Sequence, residues 1–253
     1  MSAAAVTHVV RSDPDGVAST VADALVALLV DLTPMRDRVD VVLTGGTVAA
    51  TVHRALASRV RVGDEQITRI RWSSLHLWWG DERFVGADDP ERNHLQVHHD
   101  LLHVLPLRPE QVHPFPAAPE RAGAAELSAA ALVAADDLSG APECFDLVML
   151  GTGPDGHVAS LFPGHTDQDV HGDVVAVRDS PKPPPMRLSL TAERLARTQR
   201  LWAFATGAGK AESVALASAG SDLPLGTVSA AARADDADVI WFLDDEAASL
   251  LTE

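Results

Sequence analysis

Seven apolar, β-rich runs alternate with alanine-rich stretches of helical spacing along nearly the whole chain, and this alternation constrains the fold more than any other feature. The runs fall at residues 6–10, 39–43, 75–79, 145–150, 174–177, 200–205 and 239–243. Helical patterns occupy 17–32, 48–58, 92–105, 121–138, 211–219, 228–234 and 246–251. Unbroken apolar strands separated by helices predict an α/β fold, a mainly parallel sheet with helices on both faces. The chain has 253 residues, 46% of them hydrophobic, and no convincing linker, so a single domain over 1–253 is expected. The one biased patch is SPKPPPMR at 180–187, where the prolines make a stiff, extended segment.

Charge narrows the partners. A formal net charge of −16 repels phosphodiester backbones and anionic membrane surfaces, so neither nucleic acid nor membrane is expected as a partner. An anionic small molecule would need positive charge concentrated at its own site against that field. Only two lysines occur, Lys182 and Lys210, which makes their placement informative. The single cysteine, Cys144, excludes an intramolecular disulfide, fits a reducing compartment, and reads as an inert thiol at least half buried. The first 16 residues lack a cationic segment followed by an apolar core, so no leader is expected. The longest apolar stretch, 17–32, carries Asp23 and Asp31 and is shorter than the roughly 20 residues a membrane span needs. A cytoplasmic protein is expected.

Ligands of open parallel sheets sit at the carboxyl ends of the strands, which directs attention to the segments after Leu43, Trp79, Leu150 and Ala205. After Leu43 comes Thr44-Gly45-Gly46-Thr47 leading into a helix, either a phosphate cradle or a tight turn that needs glycine for its conformation. After Trp79, Asp81, Glu82 and Arg83 put charge at a strand end, as an anion grip or as a surface cluster. After Leu150, Gly151-Thr152-Gly153-Pro154-Asp155-Gly156 spells the dinucleotide fingerprint G-x-G-x-x-G. The helix expected behind it has only residues 157–162 before Pro163-Gly164, too short for a usual crossover, although Asp179 stands near the acidic position that fingerprint asks for. The fingerprint does not ask for Asp155 and His157, two proton-handling side chains at the turn itself. After Ala205, Lys210 falls in the first turn of a helix, a position unfavourable for a cation unless an anion sits beside it. His94, His98, His99 and His103 form two i,i+4 pairs with no evident third ligand, so a solvated helix face is expected and no metal site.

Taken together, LTGG (43–46), WWGDERFV (78–85), DDPERN (88–93), MLGTGPDGHVASLFPG (149–164), SPKPPPMRLSLT (180–191) and GAGKAESV (207–214) resemble the 6-phosphogluconolactonases, in the same order and over nearly the whole chain. The resemblance implies the Rossmann-like fold shared with glucosamine-6-phosphate deaminases and ribose-5-phosphate isomerases. It implies hydrolysis of 6-phospho-D-glucono-1,5-lactone in the oxidative pentose phosphate pathway, with no organic cofactor. By position, His157 would be the general base, with Asp155, Asp81 and Arg83 as its catalytic companions. Thr44, Gly45, Gly46, Thr47, Arg187 and Lys210 would meet the phosphate, through the hydroxyl of either Thr44 or Thr47. The resemblance also implies a monomer or weak homo-oligomer whose partner is the sugar-phosphate lactone. The related deaminases carry an acidic residue five positions after the histidine. Here that position is Phe162, which favours ester hydrolysis over an isomerisation needing a second proton carrier. A deaminase-like isomerase, a non-catalytic sugar-phosphate sensor and an NAD-dependent oxidoreductase are the alternatives.

Overall fold

The strand β2 (Val39–Leu43) is buried at every position, as a strand covered on both faces must be. The computed structural model describes residues 6–165 and 168–252; residues 1–5, part of the stretch read for a leader, lie outside them. The other strands are β1 (Thr7–Arg11), β3 (Leu75–Trp79), β4 (Asp81–Arg83), β5 (Val112–His113), β6 (Leu147–Gly151), β7 (Gln168–His171), β8 (Val174–Val177), β9 (Arg187–Leu190), β10 (Arg200–Ala205) and β11 (Asp238–Asp244). Seven of them form a sheet in the order β1-β11-β10-β6-β2-β3-β5, with parallel neighbours throughout.

Register assigns the two faces. Val41 lies beside Leu77 and Leu147, so these three side chains share a face. On that face Leu25 and Leu29 of helix Pro14–Leu32 and Leu56 of helix Thr47–Val62 meet Val41, Leu43, Leu75 and Leu77. The opposite face carries Trp241, whose indole N–H donates to Ser229 Oγ of helix Pro224–Ala234 at 3.0 Å. Helices therefore cover both faces, as the alternation of the sequence predicts.

Two expectations are corrected. Residues 174–177 do form a strand, yet β8 belongs to a second, antiparallel sheet ordered β4-β9-β8-β7. The cause is local: β7 and β8 are joined by the two residues Gly172 and Asp173, with Gly172 at φ +59°, and so short a link permits only an antiparallel hairpin. Secondly, residues 157–162 form no helix. Val158 makes isolated β-bridges to Thr152 and Leu161, and the chain turns back on itself there.

The sheet order locates the crevice. From β2 the chain winds outward to β3 and β5, and from β6 it winds the other way to β10 and β11. Between β2 and β6 the winding reverses, so the loops that follow these two strands diverge and leave a gap at their carboxyl ends. Across it the Gly151 N–H donates to Thr44 Oγ1 at 3.1 Å, tying the two loops together at the base of the gap.

Candidate active site

The gap opens into a cleft of about 560 Å³ walled by all four loops singled out in the sequence. Thr44, Gly45, Gly46 and Thr47 line it from β2, Asp81 and Arg83 from β4, Gly151 to Pro154 and His157 from β6, and Thr206 and Lys210 from β10. Arg187 of β9 lines it as well. Asp155 is the one expected residue outside the lining, and it sits behind His157, hydrogen-bonded to the imidazole Nδ1.

That contact decides what the histidine can do. With Nδ1 engaged by the Asp155 carboxylate, Nδ1 carries the proton and Nε2 keeps its lone pair. Burial lowers the His157 pKa below the ordinary 6.5 and outweighs the opposing pull of Asp155, so the ring is neutral at pH 7. Burial alone would raise the Asp155 carboxyl, but the hydrogen bond and charge of His157 bring it below its usual range. The imidazole lies against the bare Cα of Gly153, where a Cβ would stand 1.9 Å from its Cε1 and 2.0 Å from Nδ1. The Phe162 ring lies with its centroid 4.7 Å from that of the imidazole, so an apolar side chain stands at the position where the related deaminases carry an acidic residue. Ala159, which also lines the cleft, has φ +50°, a left-handed backbone that costs an alanine energy and marks this turn as held by its surroundings.

The facing wall carries charge. In the antiparallel register of β4 and β9, Arg83 stands directly opposite Arg187, an unfavourable pairing until an anion comes between them. Asp81 partly answers it: its Oδ2 accepts from Ser160 Oγ at 2.6 Å and lies 4.0 Å from Arg187 Nη1. Burial lowers the pKa of Arg187 and of Lys210, and the nearby Lys182 charge lowers Lys210 further. Both cations are thus held short of solvation, a state that an incoming anion relieves. Lys210 caps the start of helix Ala211–Ser218, but the Gly207 and Ala208 amides beside it already donate to Asp244 and Glu246. Asp244 thus already acts on the lysine from the turn, and Lys210 also lines the cleft, where a second anion can reach it.

The helix Thr47–Val62 starts at Gly46 without a side-chain cap, at the edge of the cleft. Gly45 has to be glycine because a Cβ there would stand 2.2 Å from Asn93 Oδ1. Asn93 in turn donates to the Asp81 carbonyl at 3.0 Å. Its own amide and that of His94 donate to the buried Glu82 carboxylate at 2.6 and 2.8 Å. Thr44 is buried with its hydroxyl committed to Gly151, whereas Thr47 is exposed at the cleft mouth.

Sequence reasoning missed Asn93 and Lys182 as cleft residues. The signal for Lys182 was present, since both lysines of the chain converge on this one cleft. The histidine helix also differs from expectation. It ends at Asp100, and His94 is half buried, edge-on to Trp79 at 5.1 Å, with its pKa lowered to about 4 by burial. Among the described residues no cluster of three or more His, Cys, Asp or Glu side chains is placed to hold a metal ion, and no helix is long and apolar enough to cross a membrane. The strand-turn-helix that a dinucleotide fingerprint requires is not formed after Gly156.

The profile of a family described as glucosamine-6-phosphate isomerases/6-phosphogluconolactonase matches residues 12–241. The chain belongs to this family. Among the family's members, the 6-phosphogluconolactonase of Streptomyces coelicolor is 39% identical over 252 residues, covering 96% of this chain and 94% of its own. That of Mycobacterium tuberculosis is 38% identical over 247 residues, covering 94% and 96%. The solved structure of the 6-phosphogluconolactonase from Trypanosoma brucei superposes with a TM-score of 0.81 over 98% of this chain and 99% of that one, at 24% identity, and so shares its fold.

Proposed function

We propose that the protein hydrolyses 6-phospho-D-glucono-1,5-lactone to 6-phospho-D-gluconate in the oxidative pentose phosphate pathway, as a single domain of the family. The observation that carries this reading is a neutral histidine, its Nδ1 tied to Asp155, facing a cleft ringed with cations in a chain of net charge −16.

The phosphate dianion meets the amides at the uncapped start of helix Thr47–Val62, the Thr47 hydroxyl, Lys210, and the facing edges of Arg83 and Arg187. Held there, the lactone ring spans the gap to the β6 loop. His157 Nε2 takes a proton from water as the water oxygen bonds to C1 and the carbonyl electron pair moves onto oxygen. The oxyanion re-forms the carbonyl, the C1–O5 bond breaks, and the imidazolium returns its proton to O5. One water is consumed and the product is a hydroxy acid, ionised at neutral pH. Asp155 holds the ring in the reactive tautomer and offsets the charge it gains. Asp81 Oδ1, bonded only weakly to Asn93 at 3.4 Å, remains available to a sugar hydroxyl.

Phe162 gives the site no second carboxylate beside the imidazole, which suits a reaction needing one base. The test is continuous titration of acid release from freshly made 6-phospho-D-glucono-1,5-lactone. Release well above the spontaneous rate and proportional to protein is expected; a rate equal to the spontaneous one rejects the proposal.

A further inference from the structure

Lactone hydrolysis needs positive charge at two places, the phosphate and the carbonyl oxygen that becomes an oxyanion. The cleft contains four cationic side chains, Arg83, Lys182, Arg187 and Lys210. Three of them are accounted for elsewhere. Arg83 spends Nη1 on the Glu91 carbonyl at 2.6 Å and faces Arg187 across the strand pair. Lys210 stands at the β10 end with Asp244 nearby. Arg187 is bound into the protein: its Nε donates to the Pro184 carbonyl at 3.2 Å, and its Nη2 to the carbonyls of Lys182 and Pro183 at 3.0 and 3.1 Å.

That last set of contacts defines what the proline segment does. Arg187 clamps the backbone of 182–184, and Ser180 closes it from the other side, its Oγ donating to the Lys182 carbonyl at 2.9 Å and accepting from the Lys182 amide at 3.3 Å. A stiff segment held by these contacts presents one long cationic side chain to the cleft, and among the described residues that side chain has no hydrogen-bond partner. A stabiliser of the oxyanion must lie about 3 Å from the carbonyl oxygen, while the base reaches the water attacking the same carbon. The two heads must therefore converge on one carbon atom. Lys182 lines the same cleft as His157 with its side chain uncommitted, and its charge bears on that imidazole and on Lys210 alike.

We propose that Lys182 is a catalytic residue whose ammonium stabilises the oxyanion formed at C1 of the lactone, with Arg187 as the positioning residue that fixes the segment carrying it. This rests on the lactonase reading above. As water adds to C1, the carbonyl electron pair moves onto an oxygen met by the ammonium, and it returns when the C1–O5 bond breaks. The lysine keeps its proton throughout. Burial keeps the free imidazole unprotonated against the pull of Asp155 and Asp81, and the Lys182 charge acts in the same sense as burial to a smaller extent.

The experiment compares wild type with Lys182→Met, Lys182→Gln and Lys182→Arg in the full chain. It records steady-state kinetics on the lactone, inhibition by inorganic phosphate, and kcat/KM against pH. For the two neutral variants kcat is expected to fall ~10²–10³-fold, the loss of one oxyanion donor. KM and the phosphate inhibition constant stay within roughly threefold, because the ground-state contacts remain. The acid limb of kcat/KM moves to higher pH in both, since loss of a neighbouring positive charge raises the His157 pKa. Lys182→Arg recovers part of kcat. Either of two results overturns the proposal: kcat unchanged in the neutral variants, or a loss carried by KM together with weakened phosphate inhibition, which would assign Lys182 to the phosphate. Wild-type activity measured in the same series separates the two readings. Wild type no faster than the spontaneous reaction rejects lactone hydrolysis itself and this proposal with it.

Discussion

The two walls of the cleft are built differently. The β6 wall belongs to the parallel sheet, and its turn at Gly151 to His157 is tied on all sides. Gly153 N donates to the His157 carbonyl at 2.9 Å, the Gly156 carbonyl accepts from Leu225 N at 3.0 Å, and the imidazole packs against the Cα of Gly153 and the Phe162 ring. The opposite wall belongs to the small antiparallel sheet, and it carries Arg83, Arg187 and the segment that holds Lys182. One wall fixes the orientation of the neutral His157 imidazole, the proposed base. The other concentrates like charges that repel one another until substrate arrives. On the proposed reading this division sets the base apart from Arg83, Arg187 and Lys182, so that base and cations can be damaged independently.

The largest effect is expected from removing the base. His157→Ala should lower kcat ~10²–10⁴-fold with KM little changed, because the base acts in the transition state and not in binding. A variant that turned over near the wild-type rate would dissolve the distinction between the walls. Next comes Gly153→Ala, which touches no substrate. Its Cβ would fall about 2 Å from the imidazole, as the 1.9 and 2.0 Å approaches show, and must push the ring off its line. A displacement on the order of 1 Å costs about 10²-fold in rate, so kcat should drop by that order while thermal stability changes little. If kcat survives, the imidazole is not held as described. The smallest of the three concerns Lys210, the cation that follows β10 of the parallel sheet. Lys210→Ala should raise KM roughly 10- to 100-fold, the worth of one charge-assisted contact, and leave kcat nearly intact. An effect confined to kcat would move Lys210 away from the phosphate.

How much of this was legible beforehand differs between the walls in the same way. Strands β2, β3 and β10 match their sequence-derived bounds residue for residue, because continuous burial leaves an unbroken apolar run. The four strand-end loops were identified by the same logic, and with them His157, Gly45 and Lys210. Of the antiparallel sheet only β8 was, at its bounds of 174–177 but assigned to the parallel sheet. β4 follows β3 after Gly80 alone, and its sequence Asp-Glu-Arg reads as a surface charge cluster, although Glu82 is fully buried. What buries it is the hydrogen bonding of Arg83, Asn93 and His94 amides to its carboxylate, and no periodicity records such contacts. Asn93 was likewise hidden, because its role depends on the notch at Gly45, far from it in sequence. The helix expected at 157–162 failed because its apolar residues serve the turn and the wall of the cleft instead.

The central claim is that the His157 imidazole is neutral in the free enzyme and acts as the base through that form. The most direct measurement is the titration of the His157 ring nitrogens by NMR in the unliganded protein, set beside the pH dependence of kcat/KM, which reports the free enzyme's essential groups. Since the folded-state pKa lies below 6.5, activity should be full at neutral pH and lost as pH falls through that lowered value. Two agreements are predicted: both midpoints coincide below 6.5, and above them Nδ1 carries the proton while Nε2 does not. A ring that titrates above 6.5, that carries its proton on Nε2, or whose midpoint departs from the kinetic one would contradict the account.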